Sequence, residues 1–199
     1  PGDIRRWSNF DDAMIVVYHS WTTSIHLITA LDEQERAVRL APRSGWPIGH
    51  WWEYNTRYHV ENVAEALDAP GEWYLDRKSG ELTYWPLPGE DMTRAEVVAP
   101  FVRQTLVAFR GDPAAKKYVE HLRFEGVSFE HTDALIAPDM PVDHQGATGQ
   151  KPLIEAQGLR HATFQNCEIA HAGENGLWLG AGCCDNVIRR CHVHDLGGG

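Results

Sequence analysis

Three acids, Glu155, Glu174 and Asp195, and three histidines, His131, His171 and His194, recur near related places of a repeating text in the second half of the chain. If the repeats stack, such residues come side by side. Two carboxyls about 5 to 5.5 Å apart, or about 6.5 to 9.5 Å apart, are what hydrolysis of a glycosidic bond with retention or with inversion requires. Carboxylates on successive or alternate layers of a stack fall near those separations. The histidines on the same edge would orient a carboxylate or bind sugar hydroxyls. Asp133, with Asp139 and Asp143, adds acids from the long insertion "TDALIAPDMPVDHQGATGQ". In "GLWLG", neighbours in a strand point to opposite faces, so Leu177 and Leu179 face a core and Trp178 faces out. An outward indole there is a platform on which a pyranose ring can stack.

The elements that must hold these groups are legible as a repeat. "FEGVSFEH" (124–131), "FQNCEIAH" (164–171) and "IRRCHVHD" (188–195) share one frame, aligning Phe124, Phe164 and Ile188, and also Phe129, Ile169 and Val193. Gly126 and Asn166 stand where a tight corner between strands needs a left-handed backbone, and Arg190 fills the third corner. A period of 24 residues with three short strands and no helical spacing is the text of an all-β, right-handed parallel β-helix, a solenoid whose like positions stack about 4.8 Å apart. The LxxLxLxxN frame of leucine-rich repeats is absent. In "LIEAQ", Ile154 and Ala156 inward put Glu155 outward beside Trp178. This needs a one-residue difference in the next corner, because a strict 24-residue offset would set Glu155 against inward Leu179. Alternation decides it: an unpaired carboxylate in such a core costs several kcal/mol (roughly).

Composition changes near residue 97. Seven of the eight tryptophans lie within residues 1–85, and all four cysteines follow residue 166. The first part reads as antiparallel β: "MIVVYHSW", "SIHLITAL" and "RAVRLAP" are strands, the last two joined by the polar loop "DEQE". "GEWYLDRKSGELTYWP" is a second hairpin, with Gly80 supplying the positive φ of a bulged turn. "NVAEALDAPG" is a short helical turn opened by Asn62, and the tryptophans of "SGWPIGHWWEY" are expected in the core of this small domain, the alternative being a lip over the substrate groove.

The net charge of -10 argues against duplex nucleic acid and against an anionic membrane surface, both of which need a basic face. No apolar run approaches the roughly 20 residues of a membrane span. Cys167 and Cys191 occupy equivalent repeat positions and read as small apolar residues stacked in a core. A zinc site drawn from Cys183, Cys184, Cys191, His192 and His194 lacks the usual paired spacing, so no metal site and no cofactor are expected. There is no GxSxG, HExxH or GxGxxG. The chain starts at Pro1 and stops in "HDLGGG" where another strand is due, so it reads as a piece of a longer protein whose remaining β-helix coils are its partners.

"RYHVENVAEALDAPGEWYLDRKSGELTYWPLPGEDM", "VVAP", "FEGVSFEHTD" and "FQNCEIAHAGENGLWLGAGCCDNVIRRCHVHDLGGG" together resemble the bacterial right-handed parallel β-helix proteins similar to glycoside hydrolase family 141. In that family a β-rich insertion domain interrupts the solenoid, which implies an insertion domain over residues 1–96 and a β-helix over 97–199. The resemblance implies a glycosidase, the described activities being an α-L-fucosidase on pectic glycans and a xylanase. The expectation is therefore a secreted or periplasmic glycosidase acting on a polysaccharide; the stacking geometry, and not the resemblance, makes Glu155, Glu174 and Asp195 its catalytic candidates and Trp178, His171, His194, Asp133 and His131 its substrate-binding ones. The alternatives are a non-catalytic module that binds glycan or protein, and a polysaccharide lyase, for which no clear calcium loop is present.

Overall fold

The computed structural model describes residues 4–49, 55–102, 105–134 and 149–198. Asp139, Asp143, Trp51 and Trp52 lie outside the described residues. The described residues up to Glu96 form one compact unit and those from Val97 onward another. Apart from single turns of 3-10 helix at Phe10–Asp12, Ala64–Ala66 and Met92–Arg94, the regular structure of the described residues is β. None of their helices is long and apolar enough to cross a membrane.

The first unit is antiparallel. β1 (Met14–Tyr18), β2 (Thr23–Asp32), β3 (Ala37–Ala41) and β4 (Arg57–Glu61) form a sheet in the order β3-β2-β1-β4. Ile15 and Val17 of β1 point with Ile28 into a core shared with Ala13 and Val63. Asp32 shapes the polar loop between β2 and β3, its Oδ1 accepting the N–H groups of Gln34 and Glu35 at 3.0 Å each. β4 was not anticipated: four of the five residues of "RYHVE" are exposed, so its apolar signal is thin. β5 (Trp73–Asp76) and β6 (Glu81–Tyr84) make the expected hairpin, with Leu75 opposite Leu82 and Gly80 at φ 75°. Two expectations fail here. Asn62 does not cap the following turn; at φ 55° it ties two segments, donating to the Asp12 carbonyl at 3.3 Å and accepting the Leu75 N–H at 3.2 Å. Trp46 is 36% exposed and meets Trp21 edge-on at 5.5 Å, because aliphatic residues fill the core instead.

The second unit is built from parallel ladders. The first repeat supplies β7 (Val107–Arg110), β8 (Val119–Glu120), β9 (Arg123–Glu125) and β10 (Ser128–Thr132). The second supplies β11 (Pro152–Gln157), β12 (Leu159–Arg160), β13 (Thr163–Gln165) and β14 (Glu168–Ala172), and the third β15 (Asn175–Leu179), β16 (Val187–Arg189) and β17 (His192–Val193). They pair as β7-β11-β15, β8-β12, β9-β13-β16 and β10-β14-β17, all parallel. The first two repeats thus have a fourth strand position, β8 and β12, beyond the three that the sequence announces.

The aligned columns are as read. Phe164 lies opposite Phe124 and Ile188, and Ile169 opposite Phe129 and Val193. Phe124 and Phe164 stack at 5.0 Å, and Phe164, Ile169, Leu153, Ile154 and Leu159 are all but sealed from water. Burying each such side chain stabilises by about 1.5–3 kcal/mol. Leu179, expected inside, is 39% exposed; no further described strand covers the third repeat.

Three series of corners turn the chain with single left-handed residues. Gly126, Asn166 and Arg190 have φ of 65°, 51° and 53°, as their sequence places imply. His121, His161 and Asp185 form a second series at 59°, 51° and 56°, and His131, His171 and Asp195 a third at 63°, 50° and 50°. Asn, Asp and His are the side chains that enter this region most readily after glycine.

Candidate functional site

Glu155 lies in β11 between Ala108 of β7 and Trp178 of β15, so the acid and the indole are ladder neighbours. The 23-residue offset that alternation demanded is the one observed: Ile154 faces Leu177 and Ala156 faces Leu179. Trp178 is 48% exposed and its six-membered ring lies over Gly180, where an added Cβ would come within 2.3 Å of it. A side chain at 180 would therefore dislodge the indole. The Glu155 side chain is only 16% exposed, and its Oε2 receives the Arg110 guanidinium at 2.8 Å.

A second group gathers where the β10-β14-β17 ladder turns its corner. The His131 and His171 rings stack at 4.9 Å with 9° between their planes, and His171 meets His194 edge-on at 5.7 Å. The ring separation is that of neighbouring strands, so the ladder itself stacks them. His194 Nδ1 lies 2.9 Å from Asp195 Oδ2, and His171 Nδ1 lies 3.7 Å from the same oxygen. On its other side, His194 Nε2 is 3.0 Å from Glu168 Oε1. His192 Nδ1 is 3.8 Å from that oxygen, and Ser128 Oγ donates to Glu168 Oε2 at 3.1 Å.

These contacts set the charges. The hydrogen bond from His194 holds Asp195 below the usual carboxylate range, and hydrogen bonds from His194 and then Ser128 do the same for Glu168. The two carboxylates, Glu168 first, push His194 up. The nitrogens of His192 and His194 and a Glu168 oxygen lie within 4.8 Å of one another, the one such cluster with metal-ligand donors among the described residues.

The remaining predicted residues fall elsewhere. Glu174, a catalytic candidate from the sequence, is 4% exposed, and its carboxylate accepts the Lys151 N–H. Asp133 is exposed, with its N–H bound to the Val102 carbonyl at 3.2 Å. Its backbone passes so close to Gly173 that a Cβ there would meet it at 2.6 Å. Among the described residues no hydrogen bond or ion pair joins the Glu155 group to the Asp195 group. Sequence reasoning missed Glu168 and Arg110. Glu168 was detectable, since the shared frame sets it in one column with Ser128 and His192.

No family model matches the chain, and no curated protein matches it. Among solved structures the chain is similar to a protein named "Glycoside hydrolase", with a TM-score of 0.72 over 90% of this chain at 22% identity. The chain spans about a third of that structure, 36% of its length, and at this identity the likeness is one of fold.

Proposed function

We propose that residues 97–199 are a segment of a right-handed parallel β-helix in a glycosidase similar to glycoside hydrolase family 141, that residues 1–96 are its β-rich insertion domain, and that the substrate is a polysaccharide. The in-register parallel ladders and the fold likeness support the architecture. One observation carries the chemistry: an outward carboxylate, Glu155, sits beside an exposed indole, Trp178, on one parallel ladder.

In this reading Trp178 stacks against a pyranose while His131, His171 and Asp133 meet its hydroxyls. Asp195, kept ionised by His194, is the base or nucleophile at the anomeric carbon. Once a bound sugar takes the place of Arg110 over it, Glu155 takes up a proton from solvent and donates it to the leaving oxygen. Glu174 positions the segment that begins at Lys151. The protein acts outside the cytoplasm, where polysaccharides are met.

The test is polysaccharide hydrolysis by the full-length protein. Glu155→Gln and Asp195→Asn should each lower kcat by about 10²–10⁴-fold with glycan binding retained. An aryl glycoside whose leaving group needs no proton should rescue Glu155→Gln and leave Asp195→Asn slow. Equal loss on both substrates removes Glu155 from the acid role. The Arg110 ion pair, which already occupies Glu155, favours a second reading: a glycan-binding module without catalysis. It would show as no hydrolysis by the unmutated protein together with glycan binding lost in Trp178→Ala.

A further inference from the structure

Both ring nitrogens of His194 face carboxylates, Nδ1 toward Asp195 at 2.9 Å and Nε2 toward Glu168 at 3.0 Å. Only a doubly protonated ring donates to both, and a cation at Nε2 can do the work of that second proton. His192 Nδ1 stands 3.8 Å from the same Glu168 oxygen, and the His192 and His194 rings lie 4.0 Å apart. Ligand atoms on an ion with bonds near 2.0–2.1 Å sit about 3.3 Å from each other in a tetrahedron. The observed 3.0 and 3.8 Å bracket that edge. We propose that Glu168, His192 and His194 form a site for a zinc-class divalent ion, with Asp195 holding His194 in the ligating orientation.

The chemistry of the donors selects the ion. Two imidazoles and one carboxylate suit zinc, cobalt or nickel, whereas calcium and magnesium want oxygen throughout. A carboxylate on the far nitrogen of a ligating histidine fixes the tautomer that leaves the near nitrogen's lone pair free, and Asp195 is placed to do this. The His192 side chain is 73% exposed, so ions reach the site from solvent, and three protein donors leave a position for water or an anionic oxygen of a ligand. This site shares His194 and Asp195 with the glycosidase reading, but its occupation needs neither Glu155 nor Trp178.

The experiment titrates ZnCl2 alone into chelator-stripped full-length protein by calorimetry, with CoCl2 absorption as a second readout of tetrahedral nitrogen and oxygen ligation. The unmutated protein should bind zinc at about micromolar concentration or tighter. His192→Ala, at an exposed position that does not threaten the fold, should bind at least about 10-fold more weakly, and Asp195→Asn about 10–100-fold more weakly. Asp185→Asn, at the other acid-bearing corner, should bind as the unmutated protein does. No zinc binding up to about millimolar concentration, or equal affinity in His192→Ala, overturns the proposal. Neither readout involves a sugar, so failure here and failure of hydrolysis are separately visible.

Discussion

The second unit carries two corner columns made of the same residues in the same order, His121, His161 and Asp185 in one and His131, His171 and Asp195 in the other. All six residues have left-handed backbones, with φ between 50° and 63°. Their histidine pairs stack alike, at 5.1 Å and 10° in the first and 4.9 Å and 9° in the second. Yet Asp185 lies 4.0 Å from its histidine, while Asp195 has His194 at 2.9 Å and His171 at 3.7 Å. Beside the first column stand Cys184, whose thiol is pushed up by burial and then by Asp185, and Arg160, laid over the Tyr118 ring at 3.3 Å. Beside the second stand Glu168, His192 and His194. The ladder therefore manufactures the columns, and the outward residues of the adjoining strand decide whether a column becomes a charged cluster.

The comparison breaks most sharply at its common support. Phe164 stacks on Phe124, is 1% exposed and shares one core cluster with Ala162 and Ala172, which follow His161 and His171 in the two columns. Phe164→Ala should cost about 3–5 kcal/mol in urea unfolding. Histidine resonances of both columns should shift together. A response confined to one column would show that the two are held independently.

The next largest effect separates the columns by pH. His194 binds its proton more tightly when folded, so its contribution is fully present below the unfolded histidine value of about 6.5 and is lost as pH rises through its raised folded value. Asp195 and Glu168 run the other way: theirs is present above the ordinary carboxylate values of about 4 and is lost as pH falls through their lowered folded values. In metal-free protein the second column should stabilise most between about pH 4.5 and 6.5. Asp195→Asn should lower the His194 titration midpoint, read by NMR, and flatten the pH dependence of the melting temperature. Asp185→Asn should leave both unchanged, and a matching shift in that variant would erase the distinction.

Much of this was legible in the sequence because stacking converts period into contact. The column of Phe124, Phe164 and Ile188 follows from the shared frame, and the pairing of Glu155 with Trp178 from alternation, which overrides the strict repeat length by one residue. The corners at Gly126 and Asn166 were readable because those residues advertise a left-handed backbone. Those at His121, His161, His131 and His171 were not, since histidine has other common reasons to sit in a loop. Two-residue strands such as β12 are too short to show a period. Glu174 was misjudged because a lone acid in a loop gives no sign of direction, and here the Lys151 N–H turns it inward. Glu168 was passed over because its importance lies in its column neighbours, Ser128 and His192.

The smallest effect isolates what the corners themselves cost. A non-glycine residue in the left-handed region loses roughly 1–2 kcal/mol, whereas glycine escapes that strain but gives up more chain entropy on folding. His161→Gly should therefore stay within about 1 kcal/mol of the unmutated protein in urea unfolding, since its backbone terms oppose each other. Both variants meet the same two backbone terms and lose a like histidine stack, but His171→Gly also removes the edge contact to His194 and the approach to Asp195 at 3.7 Å. At pH 6 and low salt it should be the less stable of the two. Raising the salt concentration screens exposed charges, so the gap should narrow. A gap that ignores salt would assign the difference to ring stacking instead of charge, and would move the origin of the contrast from the electrostatics of the second column to its packing.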